Sequence, residues 1–167
     1  RYTVCGLHQV QQYGLDWDSW SVGLTWHYML PYRALCTAEN QAYLNFANID
    51  ENGPWGRPEN AMDLFRQNKV NTYLNPYREW IGAQIRIDAY GYIAAGDPHT
   101  AARLAYHDAY FSHVKNGIYG AMFFAALIAA AIVEKDINCA IERALREIPV
   151  TSRFYEAMKR TLDIVDG

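Results

Sequence analysis

Residues 116–133, NGIYGAMFFAALIAAAIV, run for 18 residues without a charge and constrain the fold more than any other part of the chain. A helix built from such residues is apolar on every side, so it needs neighbours all round or a lipid environment. The run sits at the short edge of what spans a bilayer, and its alanines suit close helix packing. The expectation is a buried central helix in a helical domain, with a membrane span as the lesser alternative.

The remainder of the chain can supply the neighbours. Of 167 residues, 51% are hydrophobic and 20% charged, a balance that buries a sizeable core and lies far from that of disordered chains. One domain over residues 1–167 is expected. The charge, 15 − 18 = −3, comes with no Lys/Arg cluster, which excludes a mainly electrostatic nucleic-acid binder. Cys5, Cys36 and Cys139 include no CxxC pair, so a zinc knuckle or a disulfide framework does not fit and reduced thiols are expected. The chain opens Arg-Tyr-Thr-Val-Cys with no secretory signal, as a processed or truncated start would. The expected location is cytoplasmic, with no membrane partner.

Helical period dominates. Val4, Leu7, Val10 and their neighbours lead to Tyr13-Gly14, where glycine supplies a left-handed cap. Asp16 or Asp18 can cap a second helix carrying Trp17, Trp20, Leu24, Trp26 and Met29 up to Pro31. Thr37-Ala38-Glu39-Asn40 opens a third, with Thr37 and Asn40 read as cap and first turn. Residues 49–58 read as loop, 60–67 as a short helical turn and 68–76 as a second polar loop. Residues 78–92 are ambiguous. On a strand Gln84, Arg86 and Asp88 share a face, whereas on a helix Arg86 points away from the other two. Asp97-Pro98 then caps and starts a helix reaching Ser112-His113, with a break at Asn116-Gly117 before the apolar helix. Asp136 caps a helix over 137–147, Pro149 stops it, and Thr151-Ser152 starts the last, over 153–165. The fold class is all-α.

Several residues could carry chemistry. His107-Asp108 invites a metal reading of the HD phosphohydrolase kind, but His113 would lie about 240° round an unbroken helix from His107. The alternative is a surface histidine beside an aspartate that orients the helix. His113, in SHVKNGIYG, stands just before the start of a helix whose free N–H groups favour an anion. Equally, Ser112 or Asn116 is a cap and His113 a satisfied buried histidine. Gly82, Gln84, Arg86 and Asp88 could form a polar lining, with Arg86 as a fork for phosphate or carboxylate, or Arg86 and Asp88 could be a buried ion pair. Asp16 and Asp18 are read as cap candidates. Aromatic residues at 14% allow a stacking pocket. No GxSxG, Walker, HExxH or dinucleotide glycine fingerprint is present.

The ordered series NPYREWIGAQIRIDAYGYIAAGDPHTAARLAYHDAYFSHVKNGIYGAMFFAALIAAAI over residues 75–132 resembles the ADP-ribosylglycohydrolase family. YTVCGLHQVQQYG at the start and IPVTSRFYEAM near the end extend the likeness more loosely. The resemblance implies an all-α, multi-helix orthogonal bundle that hydrolyses an N- or O-glycosidic ADP-ribosyl bond, on a small molecule or a protein, with a pair of Mg2+ or Mn2+ ions. By motif, His113, Gly82, Ala83 and Arg86 would line the nucleotide-sugar cleft, with Gln84, Asp88, Asn116 and Gly117 beside them. The family's metal ligands belong to an Asp-Asp-Thr type motif before the first helix and an Asp-x-Asp-Thr/Ser type motif beyond the last, and neither stands at those places in this chain. Trp80-Ile81-Gly82 also lacks the asparagine that many relatives place beside the glycine. The expectation is therefore the central part of such a domain, an incomplete bundle that holds no metal alone and is inactive alone. Its uncovered apolar faces would self-associate or pair with the missing segments. The rival reading is a non-catalytic helical module that binds a nucleotide or a protein.

Overall fold

A computed structural model describes residues 2–30, 37–47, 67 and 69–166. Nine α-helices and one 3-10 helix are found among them, and no strand. In chain order they are α1 (Tyr2–Tyr13), α2 (Ser19–Met29), α3 (Ala38–Ala47), α4 (Lys69–Thr72), the 3-10 helix (Ile81–Arg86), α5 (Asp88–Ile93), α6 (Pro98–Tyr110), α7 (Asn116–Ala131), α8 (Ile137–Leu145) and α9 (Arg153–Asp166). The all-α class expected from the periodicity is what the chain adopts.

Most ends follow from residue chemistry. Gly14 takes φ 67° and returns its N–H to the Val10 carbonyl at 2.8 Å, closing α1. The carboxylate of Asp18, not Asp16, accepts from Ser21 N at the start of α2. Thr37 Oγ1 accepts from Asn40 N, and Asp97 from Thr100 N ahead of Pro98. Asp136 and Ser152 accept likewise at the starts of α8 and α9.

The apolar run became α7, and α6, α8, α5, the 3-10 helix and α9 all pack on it. Ala121, Ala125 and Ala129 face one core with Trp26, Tyr90, Leu104 and Phe111, while Phe123 and Ala126 face a second with Ala102, Ala144 and Leu145. That double burial explains the absence of charge. No helix among the described residues is long and apolar enough to cross a membrane. Gly91 lets α5 approach closely, since a Cβ there would lie 2.6 Å from Ile128 Cβ and 3.0 Å from the Ala125 carbonyl oxygen. Gly91→Ala is expected to lower stability by about 1–3 kcal/mol through overpacking. A urea midpoint unchanged by the substitution would contradict this packing.

Four local readings are corrected. The stretch 68–76, read as polar loop, contains the helical turn α4, because Val70 and Asn71 are buried there. The ambiguous stretch 78–92 is neither one strand nor one helix but the 3-10 helix followed by α5. The break lies at residues 111–115, where Lys115 takes φ 47°, so Asn116-Gly117 opens α7 instead of interrupting it. Asp108, read beside a surface histidine, is 3% exposed. The readings of residues 49–58 and 60–66, and those on Pro31 and Cys36, lie outside the described residues. Cys5 is buried and Cys139 exposed, both as free thiols.

Candidate functional site

The 3-10 helix organises the site. With three residues per turn, positions three apart share a face. Ala83 and Arg86 are buried, at 0% and 2% exposed, while Gly82 and Ile85 line a cleft of about 300 Å³. Gln84 lies against Gly120 of α7, which has no room for a side chain there. The cleft is walled by Tyr2, Tyr77, Trp80, Ile81 and Ile85, with Glu39 and His113 as its buried polar groups.

Arg86 ties the elements together from beneath. Its Nε donates to Asp108 Oδ1 at 2.5 Å and its Nη1 to Glu39 Oε1 at 2.6 Å. Nη2 donates to the Asp108 carbonyl at 3.0 Å and to Ser112 Oγ at 2.9 Å. The guanidinium also lies 5.0 Å from the Trp26 ring centroid and 5.9 Å from that of Tyr2. Burial opposes its charge, yet Asp108 and Glu39 hold its pKa above the ordinary value. Tyr90 donates to Asp108 Oδ2 at 2.8 Å, and burial followed by the Asp108 charge keeps that phenol protonated well above the usual range.

The loop carrying His113 is pinned from below. Asn71 Nδ2 donates to the Tyr110 and His113 carbonyls, and Asn75 Nδ2 to those of Ser112 and Ala38. His113 is 0% exposed, with Nδ1 2.8 Å from Ser112 Oγ. Its Nε2 has no hydrogen-bond partner among the described residues and lies 3.9 Å from Glu39 Oε1. Burial, and then the Arg86 charge, push its pKa down to about 3, so it is neutral.

The structure brings Gly82 and His113 together in the cleft, with Ala83 and Arg86 directly behind. The other four candidates sit elsewhere or serve other contacts. Asp88 accepts from Thr3 Oγ1 at 2.9 Å and is not Arg86's partner, which corrects the Arg86-Asp88 pairing. Asn116 Oδ1 accepts from Phe154 N at 3.1 Å and so holds the start of α9. Gly117 packs on the Arg78 carbonyl and the His113 ring, and Gln84 is the side chain on Gly120. Ser112 bonds Arg86 and His113 and does not cap α7, whose start has no side-chain cap.

Glu39 was missed. Its place in Thr37-Ala38-Glu39-Asn40 reads as an ordinary acidic first turn, and the available signal was Arg86, a cation among apolar residues that requires counter-charges. Among the described residues no group of three His, Cys, Asp or Glu could hold a metal ion. Glu39 and Asp108 are both engaged by Arg86, so this donor set does not fit a divalent-ion pair. His107 rests against the Trp17 and Tyr106 rings, while Asp108 is committed to Arg86 and Tyr90, so the two do not act jointly as ligands.

The all-α body thus carries a small, mainly aromatic and aliphatic cleft with a neutral histidine and a clamped carboxylate at its base. The model of the ADP-ribosylglycohydrolase family matches residues 4–167. This chain belongs to the ADP-ribosylglycohydrolase family, whose members are hydrolases that act on ADP-ribosylated substrates and are generally metal-dependent. Comparison with curated proteins and with solved structures gave no match.

Proposed function

We propose that this chain forms the substrate wall of a hydrolase that cleaves an N- or O-glycosidic ADP-ribosyl bond. The observation that carries the reading is the pair at the base of the cleft. The Nε2 of His113 is buried without a partner and faces Glu39 beside Gly82, in the segment that the family match covers. A buried polar atom without a partner is costly unless a ligand supplies one. Trp80, 63% exposed, and Tyr77 offer ring faces at the cleft mouth on which a base can stack. The described residues bind and orient the ADP-ribosyl group, and no step through a metal ion is assigned to them.

Calorimetric titration of the protein with ADP-ribose is expected to show binding. Gly82→Ala should weaken that binding by about tenfold or more. A Cβ at position 82 would overlap Glu39 Oε1 and fall 2.9 Å from its Cδ and Oε2, displacing the carboxylate or the 3-10 helix. Undiminished binding by Gly82→Ala, in a chain that keeps its helical spectrum, would rule out this cleft.

A further inference from the structure

A second hollow, of about 520 Å³, is built from the residues next in sequence to those of the cleft. Tyr77 and His113 line the cleft, whereas Arg78 and Val114 line the hollow, and the Val114 N–H donates to the Arg78 carbonyl at 2.9 Å. That bond joins two distant segments, so that Arg78 and Lys115 both border the hollow. Tyrosine rings complete the lining. Tyr106 and Tyr110, one turn apart on α6, stack with centroids 5.7 Å apart and 19° between planes, Tyr106 is 38% exposed, and Tyr119 comes from α7. We infer that this hollow is a second ligand site, separate from the cleft, for a small phosphate monoester that carries a flat ring.

The charges select the phosphate. The chain as a whole carries −3, yet among the described residues no carboxylate borders the hollow and neither Arg78 nor Lys115 has an acidic partner. Glu79, the acid next to Arg78, lines a different hollow, which Lys115 also borders, and accepts from Asn116 Nδ2 at 3.4 Å. Arg78 Nη1 donates to the carbonyl of the buried Asn75 at 2.8 Å, which holds the guanidinium in place and leaves the rest of its fork for a ligand. Lys115 takes φ 47° and ψ −123°, backbone that glycine enters freely and other residues seldom adopt, and adds a second positive charge. A phosphate monoester bears close to two negative charges at neutral pH, matching this pair. Each phosphate within ADP-ribose is a diester with one charge, so ADP-ribose matches it less well. The exposed tyrosine faces accept a flat ring without reading its edges, and the volume is ample for a small molecule.

Calorimetry with uridine monophosphate, phenyl phosphate and inorganic phosphate tests the site independently of the ADP-ribosyl reading. Both ring phosphates should bind, about tenfold or more tightly than inorganic phosphate, and more weakly as salt is raised. The tighter of the two identifies the source, a free nucleotide or an aryl phosphate. Arg78→Met and Lys115→Gly should each weaken that binding by about tenfold and leave ADP-ribose binding as it was. Lys115→Gly removes the cation and suits the local backbone, so it should keep the thermal midpoint and separate lost binding from lost folding. The inference is overturned if neither ring phosphate binds at millimolar concentration, if Lys115→Gly binds both undiminished, or if Gly82→Ala and not Arg78→Met abolishes their binding. The last result would place them in the cleft.

Discussion

Replacing Arg86 with methionine is expected to cost about 3–5 kcal/mol of folding stability, the range seen when one partner of a buried ion pair is removed. Methionine keeps much of the stem's apolar volume, so the loss reports the charge and its hydrogen bonds more than a cavity. The substitution removes four hydrogen bonds at once and leaves the carboxylates of Asp108 and Glu39 buried without their cation. Tyr90 still donates to Asp108, but one phenol does not neutralise a charge. For a chain of this length the melting temperature should fall by on the order of 10 °C in a circular-dichroism melt. A double variant that also carries Asp108→Asn should lose less than the sum of the two single changes, because both act on one cluster. A loss below about 1 kcal/mol, the scale of an exposed pair, would contradict the buried clamp.

Acid should destabilise the chain through His113 before the carboxylates begin to titrate. In the folded state the ring stays neutral down to about pH 3, because burial and then the Arg86 charge oppose its protonation, while in the unfolded chain it takes up a proton near 6.5. Protons therefore favour unfolding. The stability is fully present above pH 6.5 and declines by about 1.4 kcal/mol per pH unit as pH falls below that value, until the folded ring also titrates near 3. Urea unfolding between pH 7 and 5 should show a steeper dependence in the unsubstituted chain than in His113→Gln, the two slopes differing by about one bound proton. Parallel curves would mean that the ring is charged or solvated.

The sequence revealed the helices wherever a local rule acts without competition. Gly14, Asp18, Thr37, Asp97 and Asp136 terminate helices through bonds to groups within four residues, so the sequence neighbourhood carries the whole signal. The charge-free run showed by composition alone that it is a buried central helix, whereas its two separate faces come from distant partners. Residues 78–92 resisted reading because the 3-10 turn there depends on distant partners. Arg86 is drawn inward by Asp108, 22 positions on, and by Glu39, 47 positions back. A 3.6-residue or two-residue period cannot represent that pull.

The candidate site was legible only in part. Gly82 and His113 stood out by their motifs, whereas Glu39 was hidden as a helix-start acid and Ser112 as a cap. Asn116 and Asp88, adjacent in sequence to the site, serve the start of α9 and the α1 contact instead. Arg86 offered either a fork for phosphate or carboxylate or one half of a buried ion pair, and it is ion-paired, though with Asp108 and Glu39 instead of Asp88. A second hollow of about 520 Å³, bordered by Arg78, Tyr106, Lys115 and Tyr119, is larger and carries cations, so size and charge alone would favour it. The unpartnered Nε2 and the clamped Glu39 select the smaller cleft.

A crystal structure of the chain with ADP-ribose tests that selection most directly. The account predicts density for the sugar nucleotide in the cleft between Trp80 and Gly82. Density in the Arg78–Lys115 hollow with an empty Glu39–His113 cleft would contradict it.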